Sequence, residues 1–184
     1  AFYSRFNEFR IPRVFSTYLG SITSVLQQGH ELGHAFHYWK MRDLPMIETE
    51  FPMTLTETAS TFNEAVIRRA LLEEAEGAER FKMLWQDVRS AGNFLVNTMV
   101  RMDFELAFLE ERRRGVVPAG RCCELMREVW TRWYGDDVTP DVWLWAHKLH
   151  YYKTDQFIYN YPYAVGYLMS LALMREWEAR GDDF

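Results

Sequence analysis

The sequence predicts a mainly α fold with one short strand or a small sheet near its start, and three observations lead to it. Most of the 184 residues fall into segments whose apolar side chains recur at helical spacing. Those segments are punctuated by breakers at Pro45, Pro52, Gly77, Gly135 and Gly181. One early run, Arg13-Val14-Phe15-Ser16-Thr17-Tyr18, concentrates β-branched and aromatic residues instead.

The length suits a single domain spanning residues 1–184, and 48% hydrophobic with 16% aromatic residues is enough for a packed core. A net charge of −5, with no basic stripe, argues against nucleic-acid binding. No apolar run reaches membrane-spanning length and no signal peptide opens the chain, so no membrane partner is expected. The cysteines, Cys122 and Cys123, are neighbours and make no disulfide framework, which favours a reducing, cytoplasmic setting. The first methionine is Met41, so the chain is expected to be a piece of a longer protein.

Residues Ala1 to Arg13 are mixed and aromatic with Pro12 as a breaker, and the strand from Arg13 to Tyr18 ends at Gly20. Ser21 is placed to cap a helix running to about Arg42. That helix carries His30-Glu31-Leu32-Gly33-His34, an H-E-x-x-H pattern. Residues four apart sit one turn apart on the same helix face, so both imidazoles can reach one metal ion. Glu31, beside the first of them, can lean over the ion's open position and take a proton from water. A glycine inside a helix costs roughly 1 kcal/mol relative to alanine, so Gly33 calls for the close approach of another backbone. His37 lies about 10 Å along the axis from His30, too far to share the ion comfortably, and is read as structural or as a group that supports a ligand from behind. The strand before this helix has an edge that could pair with an extended peptide, or serve structure alone.

A loop from Asp43 to Pro52 leads to a second helix, from about Thr54 to Glu76. Its apolar stripe, Leu55, Ala59, Phe62, Val66 and Ala70, is expected in the core. A polar stripe of Glu57, Thr61, Glu64 and Arg68 would ordinarily face solvent; here it is expected to supply the third metal ligand. Twenty-two residues separate His34 from Glu57, room for a loop and an antiparallel return. Glu64 could hold a ligand imidazole by its second nitrogen.

Residues 78–114 are helical in pattern, with a break near Ser90-Ala91-Gly92 and a solvated charge run at Glu110 to Arg114. Another helix runs from Ala119 to Tyr134, its cysteines read as packing groups. Thr139 to Lys148 reads as a short helix anchored by Trp143 and Trp145. In the stretch from His150 to Gly166, Tyr159, Tyr161 and Tyr163 alternate as in a strand, whereas Pro162 and the apolar run after it suit a helix start. The last helix runs to about Arg180 and stops at Gly181.

Four segments, RVFSTYLGS, HELGHAFHYWKMRDLP, MTLTETASTFNE and the tyrosine-rich stretch ending YPYAVGY, together resemble the oligoendopeptidase F branch of the thimet-oligopeptidase-like zinc metallopeptidases. The resemblance implies a zincin-like helical catalytic domain, an intracellular location and cleavage of short peptides. By match to the family pattern, His30, His34 and Glu57 would bind one zinc ion per chain and Glu31 would be the general base. His150 and a tyrosine, Tyr161 ahead of Tyr159, would correspond to the groups that steady substrate and oxyanion. Family members also carry a large N-terminal region that closes the cleft, and this chain lacks a match to it.

The expected function is zinc-dependent hydrolysis of short peptides. Two other readings compete with it: a zinc-binding module without turnover, and a helical interaction module whose histidines and tyrosines only pack. Metal content separates the last from the other two, and peptide cleavage separates the first two.

Overall fold

Strands β1 (Phe2–Phe6) and β2 (Ile11–Phe15) pair antiparallel, with Phe2 opposite Phe15 and Arg5 opposite Pro12. The computed structural model describes residues 1–155 and 157–184, the side chains of Met53 and Asp182 apart. The expected strand therefore begins two residues earlier than Arg13 and ends at Phe15, with Pro12 inside it. Proline lacks a ladder donor and is confined to edges, but both strands of a two-stranded sheet are edges, so Pro12 is tolerated.

Helix α1 (Ile22–Lys40) starts where the sequence places it: Ser21 is extended and its hydroxyl accepts from Ser24 N. A short 3₁₀ turn, Met46–Thr49, interrupts the loop that leads to α2 (Met53–Glu74). Helix α3 (Gly77–Gly92) passes through a π-helical turn, Asn93–Asn97, into α4 (Thr98–Arg112). The expected break near Gly92 is thus a widened turn, not an interruption. Helix α5 (Ala119–Tyr134) stops at Gly135, whose φ of 73° suits glycine. Only Leu144–His147 of the next expected helix is helical (α6), and α7 (Tyr161–Arg180) takes up the helical alternative for the tyrosine stretch.

The chain packs as two units, residues 1–87 with 165–184, and residues 88–164. In the second, α4 and α5 bury Val100, Phe104, Cys122, Leu125, Met126, Val129 and Trp130 against each other. Cys122 is a buried packing group there, as its sequence context suggests. Among the described residues no helix is long and apolar enough to cross a membrane.

In the first unit, α2 turns the expected pattern over. Leu55 is 40% exposed and Ala70 is exposed, so that apolar stripe is not the core. Buried instead are Glu57, Ser60, Thr61 and Arg68. Polar groups withstand burial only when partnered, and the partners here come from α1, α3 and α7, described next.

Candidate metal centre

Two glycines let helices approach α2 at backbone distance. A Cβ on Gly33 would lie 2.6 Å from Ala59 O and 2.7 Å from Ser60 Cα, so α1 touches α2 where only glycine fits. A Cβ on Gly166 of α7 would lie 2.8 Å from the Cβ and carbonyl carbon of Glu57. Thr61 Oγ1 donates to Gly166 O (3.1 Å) and Asn63 Nδ2 to Gly29 O (2.6 Å), which bind α2 to α7 and α1. The expected close approach at Gly33 is therefore real, and it sits beside both histidines of the pattern.

This packing brings three donor groups together. Glu57 Oε2 stands 3.2 Å from His30 Nε2 and 3.5 Å from His34 Nε2. The donor atoms of His30, His34 and Glu57 all lie within 4.8 Å of one another, and they form the group of metal-binding character found among the described residues. The imidazoles meet edge to face, ring centres 5.0 Å apart. Tetrahedral zinc with bonds of 2.0–2.1 Å separates its ligand atoms by about 3.3 Å. The two distances from Glu57 bracket that value, so the donor set fits a zinc ion. Ser60 Oγ, 3.0 Å from Glu57 Oε2, helps to orient the carboxylate.

Around the three lies a set of charges. Glu64 Oε2 is 3.5 Å from His30 Nδ1. Its other oxygen pairs with Arg68 Nη2, and Arg68 Nε is 2.6 Å from Asp87 Oδ1. Tyr3 of β1 stacks on His34, ring centres 5.7 Å apart. Glu31 is buried beside His30 on α1. His37 stays outside the group and packs on Phe51, 4.7 Å between ring centres.

Without a metal, the histidines and Glu57 hold each other's charge. Burial works against a charged His30, but hydrogen bonds to Glu57 and Glu64 outweigh it and raise its pKa from 6.5 to about 9. Burial likewise opposes a charged Glu57, and the hydrogen bonds from His30 and His34 overcome it, lowering its pKa to about 2. A cation of higher charge at the same point would take over the role of those protons.

The remaining predicted residues belong to the second unit. His150 Nδ1 lies 3.0 Å from Asn160 Oδ1, and its ring packs against Tyr159 (4.7 Å) and Tyr163 (6.2 Å). The Lys153 ammonium sits 4.4 Å from the centre of the Tyr159 ring. Tyr161 opens α7 and is half-buried. Sequence reasoning passed over Asn160, which is wholly buried, and Arg101, 5% exposed, whose Nη1 donates to Asn160 Oδ1 (3.2 Å). An asparagine among tyrosines and an arginine within α4 give no signal by pattern, because their partners are 59 positions apart.

Comparison with known proteins agrees with the motif. The model of peptidase family M3 matches residues 21–183. The chain is 27% identical over 154 residues to oligoendopeptidase F, chromosomal, of Lactococcus lactis subsp. cremoris, covering 80% of this chain and 25% of that protein. It is 28% identical over 144 residues to an oligoendopeptidase F homolog of Lactococcus lactis subsp. lactis (strain IL1403), covering 75% of this chain and 24% of the other. The chain thus spans about a quarter of the length of the curated relatives it matches. No solved structure matches it.

Proposed function

Because the chain belongs to peptidase family M3, we propose that it is the catalytic portion of a zinc-dependent oligoendopeptidase that hydrolyses short peptides in the cytoplasm. The observation that carries the reading is the meeting of His30, His34 and Glu57 donor atoms within 4.8 Å, inside the residues the family model matches. In this reading residues 1–184 form one catalytic portion, and the rest of a longer chain completes the cleft. The peptide substrate is that of the named relatives, oligoendopeptidases, carried over to this chain.

His30, His34 and Glu57 would hold the ion, leaving one position open. Bound there, zinc would lower the pKa of a water towards about 7 and polarise the scissile carbonyl. The chain's own residues do the rest. Glu31 accepts the proton of the attacking water and delivers it to the leaving amine. Glu64 steadies the His30 ring through Nδ1, and Ser60 steadies Glu57. His150 and a tyrosine, Tyr161 ahead of Tyr159, hold the substrate and the oxyanion, by correspondence to the family pattern.

Metal analysis of the purified chain, followed by a quenched-peptide assay on the same sample, tests this. One zinc per chain and cleavage within a peptide support the reading. A metal-free chain that cannot be loaded with zinc overturns it.

A further inference from the structure

The second unit contains a hydrogen-bond chain whose donors and acceptors can be assigned without seeing a hydrogen. Asn160 Oδ1 lies 3.2 Å from Arg101 Nη1 and 3.0 Å from His150 Nδ1. A guanidinium has only donors, so the amide atom facing Arg101 must be the oxygen. Turning the amide over would set its NH₂ against the guanidinium, donor to donor. The same oxygen faces His150, and an oxygen without a hydrogen can only accept. His150 must therefore donate through Nδ1.

Arg101 is not free to change this assignment. Its Nη2 donates to Thr98 Oγ1 (3.3 Å) and its Nε to Asn97 O (3.3 Å). Its own carbonyl accepts from the Tyr151 hydroxyl (3.1 Å), next to His150 in the chain. Arg101 is 5% exposed and Asn160 is wholly buried, so water cannot replace either partner. The amide is held so firmly that its other atom, Nδ2, stays buried with no partner among the described residues. Leaving a buried N–H without a partner is costly, and the arrangement accepts that cost to keep the oxygen on Arg101 and His150.

A neutral imidazole carries one hydrogen. With Nδ1 protonated, Nε2 offers a lone pair and no hydrogen. The geometry points to Arg101 and Asn160 as positioning residues that lock His150 as the Nδ1–H tautomer, so that Nε2 accepts a hydrogen bond from a peptide N–H and leaves the oxyanion to a tyrosine hydroxyl. Burial, the dominant influence, lowers the His150 pKa; the Asn160 hydrogen bond opposes it, the nearby Lys148, Lys153 and Arg101 charges act with it, and the net lowering keeps the ring neutral at pH 7.5. The tautomer stands on its own; the peptide contact rests on the peptidase reading above.

The experiment is long-range proton–nitrogen correlation NMR on the chain labelled with ¹⁵N at histidine, at pH 7.5, with His150 assigned from the His150→Gln spectrum. The expected pattern is Nδ1 protonated and Nε2 bare. A protonated Nε2 in the wild-type chain overturns the inference, whether or not any variant folds. Asn160→Leu should release the lock and give a mixture of tautomers, and an unchanged Nδ1–H pattern in a folded Asn160→Leu chain also overturns it. The contact is then read in the zinc-loaded Glu31→Gln chain, titrated with a nine-residue peptide. His150 Nε2 should shift while remaining unprotonated; a proton appearing on Nε2, or no shift when peptide is bound, overturns the acceptor role. In the same spectra the His30 and His34 signals report zinc, so failure to bind metal refutes the peptidase reading separately from the tautomer, and zinc bound without any peptide overturns the acceptor role in this chain.

Discussion

Gly33 of α1 lies against Ser60 of α2 so closely that a Cβ on the glycine would be 2.7 Å from the Ser60 Cα. The contact is backbone on both sides, so no rotamer change can relieve it. Alanine would gain roughly 1 kcal/mol of helix propensity over glycine. Overpacking typically costs about 1–3 kcal/mol, and with backbone at 2.6 and 2.7 Å the upper end applies. Gly33→Ala should therefore lower the unfolding free energy, against the propensity trend, and weaken zinc binding by moving His34 from Glu57. Urea unfolding and a chelator competition measure both. A stabilised variant with unchanged zinc affinity would refute the close-approach argument.

The ligand assignment separates cleanly by substitution. Glu57→Ala should abolish stoichiometric zinc binding, whereas His37→Ala, which only loses a contact with Phe51, should keep it. Glu64 touches His30 at the nitrogen away from Glu57, and removing such an orienting partner typically costs 10–100-fold in metal affinity. Glu64→Ala should fall in that range. Zinc content and affinity by chelator competition decide the matter, and metal lost in His37→Ala but kept in Glu57→Ala would reverse the assignment.

Stability of the metal-free chain should fall as the solution is made alkaline. His30 has its pKa raised to about 9 in the folded chain, against 6.5 ordinarily. Its contribution is complete below pH 6.5 and disappears as pH rises through 9. Between those values the folded chain holds the extra proton, so stability drops by up to about 1.4 kcal/mol per pH unit. Glu57, held at about 2, gives the mirror behaviour: its contribution is complete above pH 4.5 and vanishes as pH falls through 2. The two describe one mutual attraction and are counted once. The gap in unfolding free energy between wild type and His30→Ala should therefore narrow from pH 6.5 to 9. A widening gap would contradict the pairing.

What could be read from the sequence was local. Ser21 marks the start of α1 because a cap works within three residues, and Gly135 ends α5 because a positive φ is a property of one residue. The H-E-x-x-H pattern is equally local, since one helix turn sets the spacing of its histidines. Reading failed where the deciding partner was distant. Pro12 looked like a breaker until β1 lay beside β2 and made it an edge residue. The apolar stripe of α2 looked like core because helical periodicity cannot say which face neighbours occupy. Arg68 and Glu57 are buried there because Asp87, His30 and Gly166 come to them from other helices. Only the meeting of Glu57 with the two histidines, inferred from the neighbouring motif, ran ahead of the fold. Arg101, Asn160 and His150 lie too far apart in sequence for any pattern to join them.

Glu31 is the sharpest test of whether the site turns over peptide. It follows His30 directly on α1 and is buried, beside the two partly buried histidines, without belonging to the group of donors that converge. Gln has the same shape and keeps a carbonyl oxygen, but it is not a base. Glu31→Gln should thus keep zinc at the wild-type level while reducing kcat by about 10²–10⁴-fold, the contribution of a positioned acid–base group. A ligand role would instead remove metal along with activity. A purely structural role would lower the unfolding midpoint and leave kcat per folded, zinc-loaded molecule unchanged. Measuring zinc content, the unfolding midpoint and quenched-peptide turnover on one preparation tells the three apart. Turnover near that of wild type, with zinc retained, would remove Glu31 from the chemistry.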